Sequence, residues 1–538
     1  MSFTNRTFAG VVDAETPSGQ IPASMPVTAE SPYLEPAIVV FDQGMLPPEP
    51  PGDPDKPRSL AVTVLFNLAL TIVGLVAAGL VPFGFNLAVG RTYGPAELGT
   101  VSVALGLGLF LGQIPGTISS AATKFIAESL GGGDELRARR VFQFLLVVIS
   151  SLSLALAIVF LAFTPVLQSV YGLSFPMIVM AAALIPTYTL YLYFKSCYYG
   201  FARVRTYLVN EIVSDACFFG VLAAVFVLGA TPWLLLPFVL NNLIFSLIGL
   251  WNLAPYLHDF TWMEKAARRS VLRYCLIFGS GSAASLGRWF LGTAIAAIFL
   301  THQSVGLFAA AIAITAPLPL LPRAISLVTF ALMSRLHGAG ESASIRMVLQ
   351  QSTEWLGFVL GVPSGLAIIN AALILSLVFR PEYAQAAIAT QLIVAGAYIT
   401  DVSRPSIDAL SSTTYVRIAT VASFLGLFVS LTVWLVLIPI GGITMAGLGF
   451  ALGAAVTAMV PAYYAYRYIG TAPAVFIRPA VMLVSLGVFA AVGPRYALVT
   501  SVIFVVGTCV LYRHLIDMML RFGTRELMRR TKLSEGTA

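Results

Sequence analysis

Residues 98–141 read LGTVSVALGLGLFLGQIPGTISSAATKFIAESLGGGDELRARRV, and residues 305–348 read VGLFAAAIAITAPLPLLPRAISLVTFALMSRLHGAGESASIRMV. Laid over one another at an offset of 207 residues they need no gap. Gly99 meets Gly306, Ala104 meets Ala311, Pro115 meets Pro322, and Ile118 and Ser119 meet Ile325 and Ser326. Beyond the apolar run, Gly131 and Gly133 meet Gly338 and Gly340, Asp134 meets Glu341, and Arg139 meets Arg346. Small residues and prolines align easily between any two apolar helices. A matched loop, GGGD with GAGE and then an arginine, is harder to obtain by chance, so the chain reads as two copies of one plan.

The copies are membrane segments. Of 538 residues 58% are hydrophobic and only 10% charged, with a mean hydropathy of +0.88, where a soluble domain carries about 25% charged residues. Apolar runs of the roughly 20 residues needed to cross a 30 Å hydrocarbon core recur from Ala61 to Tyr512. They predict fourteen transmembrane helices at 60–89, 98–122, 141–164, 175–199, 207–229, 233–256, 272–300, 305–333, 353–379, 386–410, 416–440, 443–466, 473–493 and 497–516. The repeated stretch is the second span and the eighth. The repeat unit is therefore six helices, and the expected architecture is an all-α membrane protein with two pseudo-symmetric six-helix lobes, 59–256 and 257–468, followed by a further pair within 469–519.

The tails differ in kind. Residues 1–58 hold eleven of the 31 prolines and eight acids against three bases, with no helical period, and read as a disordered cytoplasmic tail. Its layout is not that of a cleavable signal peptide. Residues 520–538 form a basic tail. Counting the 31 Lys and Arg by side puts 25 with the two termini and three, Arg91, Arg380 and Arg495, on the other side. Both termini are expected in the cytoplasm of a multi-pass plasma-membrane protein.

The net charge of +7 is spread in short clusters between apolar runs, unlike a nucleic-acid patch. Outer connections are too short to hold an extracytoplasmic catalytic domain. A phosphate-binding loop, a metal-binding pair and a histidine cluster are all missing from the sequence, since His258, His302, His337 and His514 stand far apart. Neither an enzyme nor an ATP-driven pump is expected, and no metal or cofactor. Cys197, Cys217, Cys275 and Cys509 read as small core residues.

Charges inside spans cost a few kcal/mol each, so they mark water, a ligand or a partner. Arg288 falls near the midplane of span seven and either lines a central cavity or pairs with a buried acid. Arg323 follows Pro317, Pro319 and Pro322, which remove backbone donors and bend the helix. It either lines the cavity or reaches back to the interface. Asp401, Arg404 and Asp408, at i, i+3 and i+7, form either a self-neutralising ladder or an ion-coupling or gating site. Lys195, with Arg203 and Arg205, closes span four as a topology anchor or lines a vestibule, and Glu211 and Asp215 are candidates to pair with these bases. Lys124 and Glu128 read as an i, i+4 pair. Pro115 and Pro322 are taken as equivalent kinks. Repeated halves in a membrane protein point to a transporter that works at their interface.

The runs RTYGPAELGTVSVAL, SVGLFAAAIAI, LPRAISLVTFALMSRLHGAGE and TYVRIATVASFLGLFVSLTVWLVLIPIGGITMAGLGFALG resemble the polysaccharide-transporter branch of the MOP superfamily, the Wzx-like oligosaccharide flippases. Lipid II flippases and multidrug exporters belong to the same superfamily. The resemblance covers residues 59–516 and implies alternating-access export of a polyprenyl-pyrophosphate-linked oligosaccharide for cell-surface glycan assembly, beside glycosyltransferases or a polymerase. It implies that Arg288 and Arg323, with Lys195, hold the pyrophosphate, and that the last two helices cradle the lipid tail. Family sequences often place an acid directly before the midplane arginine; here that position is Gly287. A lipid II flippase, a cation antiporter, which would want acids in its cavity, and a non-transporting scaffold are the alternatives.

Overall fold

The loop shared by the two halves folds the same way in both. In the computed structural model Gly133 has φ 74° and its repeat partner Gly340 has φ 77°, a region that residues with a Cβ rarely enter. The following residue, Asp134 in one half and Glu341 in the other, is the N-cap of the next helix. Asp134 accepts from the Arg137 backbone N–H at 2.8 Å, and Glu341 accepts from the Ser344 hydroxyl at 2.8 Å.

The structure describes residue 74 and residues 79–517 except 259–261, 339, 414 and 493–495, all within the unit Thr63–Ala538. The two predicted tails, 1–58 and 520–538, lie outside the described residues, as does most of 60–78. The chain runs α1 (79–92), α2 Pro95–Gly116, α3 Ser119–Gly131, α4 Glu135–Ala162, α5 Thr164–Tyr171, α6 Phe175–Gly200, α7 Val204–Val227, α8 Leu236–Asn252 and α9 Lys265–Phe299. It continues through α10 His302–Thr315, α11 Leu320–Gly338, α12 Ser342–Ile369, α13 Ala371–Val378, α14 Ala387–Val402, α15 Arg404–Ser412, α16 Val416–Ile469, α17 Ala474–Val492 and α18 Ala497–Leu511. Among the described residues there is no strand.

Nine of these helical stretches are long and apolar enough to cross a membrane, ten if the bent pair α10 and α11 is one span. The predicted fourteen is not reached by length and composition alone, for identifiable reasons. Span 60–89 is only partly described. Spans 416–440 and 443–466 both fall in α16, which at about 1.5 Å per residue is far too long for one crossing. Its regular backbone breaks at Gly442 (φ 62°, ψ −143°), and Ser430 then bonds the Gly449 carbonyl while Trp434 bonds that of Ala446, so the element folds back on itself. The last two spans correspond to shorter apolar helices, Ala474–Phe489 and Ala497–Leu511. Large apolar side chains such as Val227, Ile440 and Leu498 are exposed on these helices, as expected where the surroundings are hydrocarbon.

Three packings position the interior. Helix α2 crosses α10 so closely that a Cβ on Gly99 would stand 1.9 Å from the His302 carbonyl oxygen, and one on Gly306 1.7 Å from that of Pro95. The two glycines paired by the repeat thus face each other across the joint between halves. Helix α9 packs on both α2 and α16. Helices α17 and α18 lie on α12, where Gly357, Gly361 and Gly365 make room for Tyr512, Met482 and Phe504, as small-xxx-small faces do in membranes.

Candidate functional site

Arg288 projects from α9 against the second limb of α16. It is 2% exposed, and its Nη1 donates to Thr457 Oγ1 at 2.7 Å and to the Gly453 carbonyl at 3.1 Å. Its guanidinium carbon lies 5.4 Å from the Phe450 ring centre, a cation–π distance. Nε has no partner among the described residues. Gly287, where an acid would stand, packs against Phe110 and Leu427.

Asp401, buried at the end of α14, lies within electrostatic reach of Arg288, Arg323 and Arg404. It forms no ion pair within 4.0 Å among the described residues, and its Oδ2 has no hydrogen bond. Helix α14 ends one residue later, and Ser403 and Pro405 mark the joint to α15. Asp401 is therefore on a different helix from Arg404 and Asp408, which keep the predicted pairing at 3.5 Å. Arg404 also donates to Ser326 Oγ at 3.3 Å. Three guanidinium groups face two carboxylates here, so the cluster is cationic.

Arg323 completes it from α11. Unlike Arg288 it is exposed; its backbone N–H donates to the Pro319 carbonyl at 3.1 Å, and its guanidinium makes no hydrogen bond or ion pair to another described residue. Its electrostatic neighbours are Arg404, Asp401 and Tyr188 of α6. Tyr188 in turn neighbours Lys195, stacks on Tyr191 with ring centres 6.1 Å apart, and donates to Gln113 Oε1 at 3.1 Å. Lys195 and Arg323 thus share Tyr188 as a neighbour. Its Nζ lies 3.1 Å from Tyr191 OH, 4.0 Å from Glu211 Oε1 and 5.0 Å from the Tyr207 ring centre.

The structure brings Arg288, Arg323, Asp401, Arg404 and Asp408 together, and leaves Lys195 apart with Glu211. Glu211 pairs with Lys195 as expected and accepts from Tyr191 OH at 2.7 Å, whereas Asp215 takes a bond from Asn241 at 3.1 Å instead of from a base. Arg203 donates to the Asn252 carbonyl. Lys124 does not meet Glu128: it lies 4.5 Å from the Tyr274 ring centre, and Glu128 faces Arg137 at 3.8 Å. The prolines also differ from expectation. The 47° bend between α10 and α11 falls at 316–319, with Pro317 and Pro319, and Pro322 stands in the first turn after it. Pro115 instead lies just before the break between α2 and α3.

Sequence reading missed two clusters. Glu354 of α12 pairs with Arg478 of α17 at 2.5 Å and with His514, just past α18, at 3.0 Å. At the end predicted to face outward, the two halves are clasped. Arg91 Nε donates to the Val378 carbonyl at 2.6 Å and its Nη2 to Leu377 at 2.5 Å, while Arg380 donates back to the Arg91 carbonyl and Tyr383 OH to that of Gly90. The rarity of basic residues on that side was the signal that could have found them. Among the described residues no group of three His, Cys, Asp or Glu side chains could hold a metal ion.

Comparison with known proteins agrees with this architecture. The family model described as MatE matches residues 62–207. Comparison with curated proteins gives no match. Among solved structures, an inward-facing multidrug resistance MATE transporter of the MOP superfamily superposes with TM-score 0.62 at 14% identity, over 73% of this chain and 94% of that one. The lipid II flippase MurJ in an inward closed conformation gives 0.59 at 12% identity, over 85% and 99%. A MOP superfamily transporter from Pyrococcus furiosus, described as having a binding pocket of reversed polarity, gives 0.54 at 14%, over 75% and 98%. The chain shares the fold of these transporters.

Proposed function

We propose that this chain is a flippase that moves a polyprenyl-(pyro)phosphate-linked oligosaccharide from the inner to the outer leaflet by alternating access, for cell-surface glycan assembly. The observation that carries the reading is Arg323, an exposed guanidinium within a bent span that has no protein partner among the described residues. A charge so placed is stabilised by water or by an anion, and a pyrophosphate supplies two acceptor groups suited to a guanidinium fork. Arg288 holds the neighbouring helices in place, and Lys195 receives the ligand from the other half. The two lobes, 59–256 and 257–468, rock about this site, and helices α17 and α18, tied to α12 through Glu354, cradle the lipid. The likeness to the lipid II flippase extends over more of this chain than that to the multidrug transporter, 85% against 73%, which supports a lipid-linked ligand. In this reading the protein sits in the plasma membrane with both termini cytoplasmic and receives substrate from glycosyltransferases. Flipping of a fluorescent lipid-linked sugar in proteoliposomes tests it, with Arg323→Ala as the inactive control.

A second reading, a cation-coupled exporter, is favoured by Glu211 and Asp215 in α7, where Glu211 Oε2 and Asp215 Oδ2 both lack hydrogen-bond partners among the described residues. Drug extrusion driven by a proton or sodium gradient, lost in Asp215→Asn with lipid flipping absent, would select it.

A further inference from the structure

Two carboxylates share the arginine cluster, and the chain holds them in different ways. Asp408 is tied down: its Oδ1 meets Arg404 Nε at 3.5 Å, beside Ser326 and Thr329 of α11. Asp401 is 9% exposed and untied, with no ion pair within 4.0 Å and with Oδ2 bare of donors among the described residues. Of the three guanidinium groups that act on Asp401, the strongest is that of Arg323, ahead of Arg404 and Arg288. Arg323 is also the arginine whose guanidinium has no fixed partner. An unheld anion on α14 and an unheld cation on α11 therefore stand within electrostatic reach of each other.

Three guanidinium groups and two carboxylates leave the cluster with one positive charge in excess. A diphosphate diester, with a negative charge on each phosphate, turns that into one negative charge, so loading gains nothing in net charge. Without the Asp401 carboxylate the empty cluster would carry two positive charges and the loaded one none. The cost of holding net charge away from water rises with the square of that charge. The carboxylate thus favours the empty site over the loaded one, at the arginine a ligand phosphate would contact. Because no hydrogen bond fixes Oδ2, it can yield when the ligand arrives.

Building on the flippase reading, we propose that Asp401 is a built-in counter-anion, which neutralises Arg323 while the site is empty and is displaced by the diphosphate of the substrate. It is an affinity-setting residue: it touches no ligand, and it needs neither a proton nor a metal ion to act. A carrier that met its ligand with three uncompensated arginines would load and then stall. The carboxylate lowers the affinity so that release can follow.

The test uses the full-length protein at pH 8, well above the usual carboxylate range, with a water-soluble, short-chain prenyl diphosphate sugar as probe. Asp401→Asn should bind the probe at least tenfold more tightly than the unaltered protein, while Asp401→Glu, which keeps the charge, should stay close to it. In proteoliposomes Asp401→Asn should lower KM for a fluorescent lipid-linked sugar at least tenfold and lower the maximal flipping rate with it, a split that loosened packing would not give. Asp401→Ser serves where the asparagine variant is not recovered. Glu135→Gln removes an exposed carboxylate at the start of α4 and should leave the affinity unchanged. Binding that is unaltered or weaker in folded Asp401→Asn, or an equal gain in Glu135→Gln, would overturn the proposal, and binding that still depends on Arg323 would leave the flippase reading standing. Probe binding that is absent throughout, or indifferent to Arg323→Ala, would remove that reading and this inference with it.

Discussion

Arg288 and Arg323 carry the same charge, and the structure treats them differently. Arg288 is enclosed and spends its Nη1 on Thr457 and Gly453, so removing it strips two bonds from one charged donor, each worth about 1.5–3 kcal/mol. Arg288→Ala should lower the unfolding free energy by about 3 kcal/mol, seen as a clear drop in thermal midpoint in detergent, and Arg288→Lys should recover part because an ammonium reaches the same acceptors without the fork. Arg323 has no such bonds to lose. Arg323→Ala should leave the thermal midpoint unchanged while flipping falls at least tenfold, and Arg323→Gln should behave the same way. Both arginines were legible in the sequence as charges within apolar runs. Their partners were not, because Thr457 and Gly453 lie more than 160 residues from Arg288 in the chain, and nothing in an apolar helix marks one threonine as the acceptor.

At the scale of elements, the repeated loop was fully readable: Gly133 and Gly340 adopt one conformation because the same turn must be made twice. The prolines were read less well, since alignment of Pro115 with Pro322 does not say on which side of a break each stands. Pro322 precedes no bend, and within the first turn of α11 it forgoes a donor that would be unpaired anyway. Pro322→Ala should therefore leave both flipping and stability within a factor of two, whereas Pro317→Ala together with Pro319→Ala, which restores donors inside the bend, should slow flipping several-fold. The clasp between α1 and α13 makes a sharper prediction. If the halves must part at that end, Arg91→Ala with Arg380→Ala removes bonds worth about 3 kcal/mol or more, a shift of about a hundredfold in the balance between closed and open. A cysteine introduced at Val89, which is fully buried beside the clasp, should in that background react with an impermeant maleimide added outside the cell, and should stay protected while both arginines are present.

For the molecule as a whole, the proposed flippase activity carries a prediction about how it is driven. Polyprenyl pyrophosphate carries about two negative charges, and an inside-negative potential favours moving each outward by about 2.3 kcal/mol per 100 mV. Export can then run downhill electrically, provided the arginines stay near the midplane while access alternates. The unpaired Asp401 is the competing element, because an ion entering beside it could reset the carrier instead. The fold class was legible in the sequence, since hydropathy and the repeat are properties of long stretches; the clasp between α1 and α13 was not, because it depends on backbone carbonyls that every residue possesses. The most direct measurement is flipping of a fluorescent lipid-linked sugar in proteoliposomes, with membrane potential and ion gradients imposed separately, for the unaltered protein and Arg323→Ala. The account predicts a rate that rises with inside-negative potential, ignores pH and sodium gradients, and falls at least tenfold in the variant. A rate that follows a pH or sodium gradient, is flat with potential and survives Arg323→Ala would contradict it.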